Sequence, residues 1–221
     1  GLALCGGRYP LLSVRIPHRV TNIEAFSCNV CPGLANVDLG HGVVSIGAWP
    51  FAYCTSLTNV TIGIGLTSIS YAAFDTCHNL TSVTIPKNVT NIALQAFYQC
   101  YSLSNVSIGS GVTSIGGTAF ESCTNLTSVT MGTSVNSIGD NAFEGCSSLS
   151  TVTIPKSVIS IGSAVFANCS SLTSVYFQGN VPSVGTVPFA SDNNATIYYM
   201  PGTVGWSSPL PWEWNWRGGW S

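Results

Sequence analysis

Nine cysteines stand in a chain of 221 residues that carries only six Lys or Arg and eight Asp or Glu. Sulfur at that density can hold a metal, form disulfides, act as a nucleophile or simply fill space in a core. "CNVC", residues 28 to 31, has the Cys-x-x-Cys spacing of zinc and redox sites. No fourth ligand accompanies it at close spacing, so a zinc site is not expected. His78 follows Cys77 and stands three residues after Asp75, which has the outline of a thiol–imidazole–carboxylate triad. Glu121 and Glu144 have the outline of a general acid and base.

These readings lose force against an internal period. Cysteine recurs at Cys31, Cys54, Cys77, Cys100, Cys123, Cys146 and Cys169, every step being 23 residues. Leucine follows at the same interval from Leu34 to Leu172, and phenylalanine from Phe51 to Phe189. Ile46 to Ile161 form a further column, continued by Val184. A residue repeated in every copy of a unit belongs to the core the units share, whereas a catalytic thiol must be accessible and activated. His18 and His41 share a turn column with Lys87 and Ser110, and read as solvated turn residues. Asp75, Glu121, Asp140 and Glu144 cluster near an Ala-Phe corner as a solvated edge.

Stacked copies place equivalent residues about 4.8 Å apart, with their Cβ atoms at about the same spacing, beyond the usual disulfide range of about 3.5–4.5 Å. The seven cysteines of the column are therefore expected as a ladder of buried, reduced thiols, since free Cys behaves as a small hydrophobe. Serine in their place is expected to cost more than alanine, because its hydroxyl would need a buried partner. Cys5 lies 23 residues before Cys28, and if residues before Leu11 form a partial copy, a Cys5–Cys28 disulfide is conceivable.

The elements that must carry these columns follow from the unit itself. Each copy reads L-x-x-V-x-I, then a turn, then V-x-x-I-G-x-x-A-F-x-x-C. In "LTSVTI" (80–85) apolar and hydroxyl residues alternate, the period of a half-buried strand. Pro86 and Pro155 stand where that strand must stop. "VTNIALQAF" (89–97) suits a short second extended segment running into a single helical turn at Ala-Phe. One copy cannot bury enough apolar surface to offset the ordering of its own backbone, so the copies must stack into a solenoid. Residues 1–10 are expected as a truncated repeat or N-terminal cap, 11–194 as eight repeats, and 195–221 as a C-terminal strand and Trp-rich cap. Five of the six tryptophans fall between Trp206 and Trp220. A cap over the last strand edge is the first reading of them, an aromatic sugar-binding surface the sharper one.

"VTSIGGTAFESCTNLTSVTM" (112–131) resembles the BspA-type leucine-rich repeat of surface proteins from bacteria and some protozoa. The resemblance covers residue 11 to about 190. It implies a right-handed leucine-rich-repeat solenoid with a parallel β-sheet, in proteins associated with adhesion or partner binding. The first copy departs from the pattern, with Cys28 in the phenylalanine column and Phe26 two places early.

A net charge of −2 with six basic residues gives no footprint for nucleic acid. No stretch approaches the roughly 20 apolar residues that cross a bilayer, so no membrane insertion by this segment is expected. A surface made soluble by Ser, Thr, Asn and Gly suits an extracellular or cell-surface protein, and the full gene product is expected to carry an export signal upstream. No cofactor, metal or catalytic group is expected. The expected activity is binding of a protein or cell-surface ligand through the solvent face of the sheet. That face comprises Arg15, Asp38, Thr61, Thr84, Ser107, Thr130, Thr153 and Tyr176, with the adjacent column Asn36, Asn59, Ser82, Asn105, Ser128, Thr151 and Ser174. A structural spacer, or an ice- or carbohydrate-binding surface built on the Thr and Ser columns, are the alternatives.

Overall fold

A computed structural model describes residues 11–192 and 194–206. The expectations for residues 1–10, for Cys5 and for the tryptophans beyond Trp206 lie outside the described residues. Within them the chain winds as a parallel-strand solenoid. Nine longer strands, from Ser13–Arg15 to Thr196–Tyr199, alternate with eight two-residue strands, from Asn22–Ile23 to Ser183–Val184. Val83 and Ile85 point inward and Ser82 and Thr84 outward in Ser82–Ile85, and Thr151–Ile154 repeats that alternation. Paired strands stack in parallel at an offset of 23, as in Ser82 on Asn105 and Ile85 on Ile108. The last step is one residue shorter, with Val175 on Ile197 and Tyr176 on Tyr198.

The longer strands form three hydrogen-bonded groups of three, and the short strands form a group of two and one of six. The two interruptions of the first ladder follow strands Asn59–Thr61 and Ser128–Thr130. Their inward valines, Val60 and Val129, are only partly buried, unlike Val83, Val106 and Val152.

Where a helical turn was expected at Ala-Phe, the structure has a pair of tight turns instead. Two positions per coil adopt left-handed backbone. One column runs through Phe26, Trp49, Ala72, Gln95, Thr118, Asn141, Ala164 and Val187, and the other through Val30, Tyr53, Thr76, Gln99, Ser122, Gly145, Asn168 and Ser191. This backbone lets alternate N–H groups leave the coil and donate to the next one: Gln95 to Gly117 O at 3.2 Å, Phe97 to Ala119 O at 2.8 Å and Gln99 to Glu121 O at 2.9 Å. A helical turn would turn those donors back into its own coil. The corner is therefore a third hydrogen-bonded face, and its N–H groups point toward the C-terminal end of the array. After the short strands the direction is reversed, as in Gly116 N–H to Ile92 O at 2.7 Å.

Between the faces lies one continuous core. Phe51, Phe74, Phe97, Phe120, Phe143, Phe166 and Phe189 stack in near-parallel file, with centroids 5.2 to 5.6 Å apart. That spacing exceeds the coil repeat of about 4.8 Å, so each ring slips past its neighbour, the arrangement aromatic quadrupoles favour. The leucine column from Leu34 to Leu172 is fully buried beside it.

Candidate functional site

The outer face of the longer strands is built by alternation. The inward Val and Ile fix the strand on the core, and the pleat then sends the residues between them to solvent. Asn36, Asn59, Ser82, Asn105 and Thr151 are exposed in one column, while Ser128 and Ser174 are half-buried. Arg15, Thr61, Thr84, Ser107, Thr130 and Thr153 are exposed in the other, with Asp38 and Tyr176 half-buried. The two columns run in register from Ser13 on Asn36 to Thr153 on Tyr176, apart from the two interruptions of the ladder.

Flanking hydroxyls behave differently. Thr58, Thr81, Ser104, Thr127 and Thr173, just before the strands, each donate to a backbone carbonyl 23 residues earlier, at 3.0 to 3.5 Å. Thr67, Thr90 and Thr113 do the same beside the short strands, at 3.0 to 3.3 Å. These hydroxyls brace coil to coil. Sequence reasoning missed them, although their period of 23 was the available signal. By contrast, Thr61, Thr84, Ser107, Thr130 and Thr153 make no side-chain hydrogen bond among the described residues and stay available to solvent.

The ends of the face carry the larger side chains. Arg15 Nε lies 3.4 Å from Asp38 Oδ2, an exposed pair that is weak in itself. Arg15, His18, Asp38 and His41 line one shallow cleft at that end, which brings the two histidines of the turn column beside the outer face. At the other end Tyr176 stacks on Tyr198 with centroids 4.8 Å apart. Trp206 lies parallel to Tyr199 at 5.1 Å and donates its indole N–H to Gly179 O at 3.2 Å.

The sulfur column has a specific task. Cys54, Cys77, Cys100, Cys123, Cys146 and Cys169 are free and buried. Each donates its S–H to the carbonyl of the residue 26 positions earlier, at 3.2 to 3.3 Å: Cys28, then Phe51, Phe74, Phe97, Phe120 and Phe143. From Phe74 onward that carbonyl already accepts an N–H from its own coil, as from Cys100 to Phe97 O at 3.4 Å, so the thiol takes up its second lone pair. Burial pushes the Cys54 thiol up to about 11, and burial and the neighbouring thiols raise Cys77, Cys100, Cys123 and Cys146 well above the ordinary range. These are the opposite of nucleophilic thiols.

The first coil corrects two expectations. Cys31 is buried in the column but is disulfide-bonded, so it is not one of the free thiols. Cys28 is a free thiol, so the Cys5–Cys28 bridge that the sequence left open is not formed. Cys28 occupies the phenylalanine slot facing the core and offers its carbonyl to Cys54. The partner of Cys31 lies outside the described residues. Phe26 takes the left-handed corner position, is 55% exposed and stacks on Trp49 at 5.2 Å.

The triad outline of Asp75, Cys77 and His78 dissolves in the same geometry. The Cys77 thiol is committed to Phe51 O, Asp75 accepts from the Thr76 hydroxyl at 2.7 Å, and His78 stacks on Tyr101 at 4.7 Å. Glu121 is raised by burial and by Glu144, while Glu144 is itself engaged by the amides of Asn141 and Asn168. No group of three or more His, Cys, Asp or Glu residues is placed to hold a metal among the described residues.

A parallel solenoid of nine longer and eight short strands, with columns of Leu, Phe and Cys, defines a leucine-rich-repeat protein. The chain belongs to the family with the BspA-type leucine-rich repeat region, which matches in six copies over residues 7–117 and 90–205. A leucine-rich repeat protein of T. pallidum is 25% identical, with a TM-score of 0.62 over 85% of this chain and 79% of that one. A leucine-rich cell surface protein of Faecalibacterium prausnitzii is also 25% identical, with a TM-score of 0.58 over 86% of this chain and 69% of that one. A leucine-rich repeat protein of Bacteroides ovatus shares the fold at 22% identity and a TM-score of 0.55; the match covers 85% of this chain and spans 63% of that protein. No curated protein matches the chain.

Proposed function

We propose that this chain is a non-catalytic binding or adhesion module of a secreted or cell-surface protein, engaging a protein or cell-surface ligand through its outer face. One observation carries this reading. The fold uses the hydroxyls of the flanking columns for its own bracing, yet leaves Thr61, Thr84, Ser107, Thr130 and Thr153 unengaged among the described residues. The cell-surface description of the Faecalibacterium relative supports the setting. Anchoring falls to the ends of the face, because binding energy concentrates in Arg and aromatic side chains rather than in Ser or Thr.

The test is adhesion of the immobilised chain to cells and to extracellular-matrix proteins, with thermal melting measured in parallel. Arg15→Ala and Thr84→Glu are expected to weaken adhesion at unchanged melting temperature, and Ser107→Thr to leave it intact. Should the face variants adhere normally while Tyr53→Ala or Leu94→Ala at the corner abolishes adhesion, the face assignment is overturned. A spacer role is the second reading, favoured by three hydrogen-bonded faces that stiffen the array. It predicts that every face variant is silent and that only the number of coils matters.

A further inference from the structure

The sulfur column continues one step past Cys169. Position 192, 23 residues on, is aspartate, and it is as deeply buried as the thiols, 2% exposed. Its backbone follows the column too: the Asp192 N–H donates to Phe189 O at 3.1 Å, as the Cys169 N–H does to Phe166 O at 3.3 Å. Extended by one coil, the step of 26 that joins Cys169 to Phe143 O assigns the Phe166 carbonyl to Asp192. Each slot of this kind presents a carbonyl oxygen to the side chain, with the N–H of the preceding column residue beside it, so a group that carries a hydrogen satisfies it best. A thiol brings one. A carboxylate brings only lone pairs, and both carboxyl oxygens of Asp192 are buried with no partner in hydrogen-bond geometry, the nearby Cys169 N–H being directed to Phe166 O at 3.3 Å.

We propose that Asp192 is a pH-sensitive latch at the C-terminal end of the array: protonated, it takes the place of a thiol and donates to the Phe166 carbonyl; ionised, it loosens the last coil. The surroundings fit. Burial pushes this carboxyl up to about 7, and the Cys169 N–H beside it offsets that only in part. Among the described residues the titratable groups toward it are the Cys169 thiol, which Asp192 raises, and Glu144, which acts on Cys169 from one coil further back. The one ion pair among those residues, Arg15–Asp38, is at the opposite end.

In the unfolded chain the carboxyl titrates near 3.9. Between about pH 4 and pH 7 the folded coil therefore holds a proton that the unfolded coil has lost, and its stability falls as the pH rises. Above about 7 the loss is complete and the dependence levels off. Each unit of separation between the two values is about a factor of ten in the opening equilibrium. Opening takes Tyr198 away from Tyr176 and bares the edge of Ser174–Phe177. The outer face is thus complete in acid and shortened by one coil at alkaline pH.

Amide hydrogen exchange of the full chain, corrected for intrinsic rates, tests the latch. The protection of Ile197 and Tyr198 is read relative to Val106 and Ser107 in mid-array. Between pH 5 and pH 8 this ratio is expected to fall at least tenfold in the wild type. In Asp192→Asn and Asp192→Cys, which bring a hydrogen at every pH, it is expected to stay level. A level ratio in the wild type overturns the proposal. So does a fall in Asp192→Cys that matches the wild type, whatever Asp192→Asn does.

Discussion

Cys123 is both filler and donor, and the second role changes what its replacement should cost. Alanine leaves a small cavity and leaves the Phe97 carbonyl one hydrogen bond short, for about 1–3 kcal/mol. Serine keeps a donor at the same carbonyl, so Cys123→Ser is expected to cost no more than Cys123→Ala in urea unfolding. The expectation from sequence alone was the reverse. The period of 23 made the column legible as buried and reduced, but not the acceptor, because a step of 26 joins residue types that differ between first and later coils. Native Cys100 and Cys123 should resist thiol reagents and react once the chain is unfolded without reductant. Peptide mapping under non-reducing conditions should show Cys31 alone of the column in a disulfide, with Cys28 alkylated only after denaturation.

At the level of the element, the two-turn corner is the part the sequence hid. Strands were legible from alternation in segments such as Ser82–Ile85, and the turn from Pro86. The left-handed positions were not, because Gln95, Thr118 and Asn141 have no composition in common and only Gly145 among the two columns is glycine. The corner forms because its N–H groups find acceptors in the next coil, which is a tertiary cause and not a local preference. Thr118 illustrates the cost. A β-branched residue sits at φ 50°, and its hydroxyl is buried without a partner. One coil further on, Asn141 occupies the same position and its amide donates to Glu144, three residues later. Glu121 stands equivalently to Thr118, so Thr118→Asn should stabilise the chain by about 1 kcal/mol, seen as a higher urea midpoint at unchanged slope. The face columns, by contrast, were legible residue by residue, since each is fixed by the pleat once the inward Val and Ile are placed.

For the whole molecule, the ends matter more than the middle. A solenoid is stable coil by coil through its neighbours, and its last coil has a neighbour on one side only. Trp206 packs against Phe177 and Tyr199 there. Deleting residues 201–221 removes that ring and bares apolar surface, so the truncated chain is expected to aggregate while retaining its β circular dichroism. A truncated chain that stays monomeric with an unchanged melting temperature would show that the end needs no cover. Net charge and the scarcity of basic residues were legible without any structure, and give only the expectation that polyanions are not partners.

The forward-pointing hydrogen bonds of the corner have a mechanical consequence. All three faces bond along the long axis, so a pull applied at residues 11 and 206 loads the contacts between one coil and the next in series. Such a load peels the array from an end, one coil per rupture, each rupture releasing about 70–80 Å of chain. The stacked phenylalanines and the thiol donors of the remaining coils are untouched by each event. A tether built this way yields at modest force, lengthens by many times its folded length and rewinds when slack. Single-molecule stretching should give a regular sawtooth of near-equal steps, and one cooperative rupture of the entire array would contradict it.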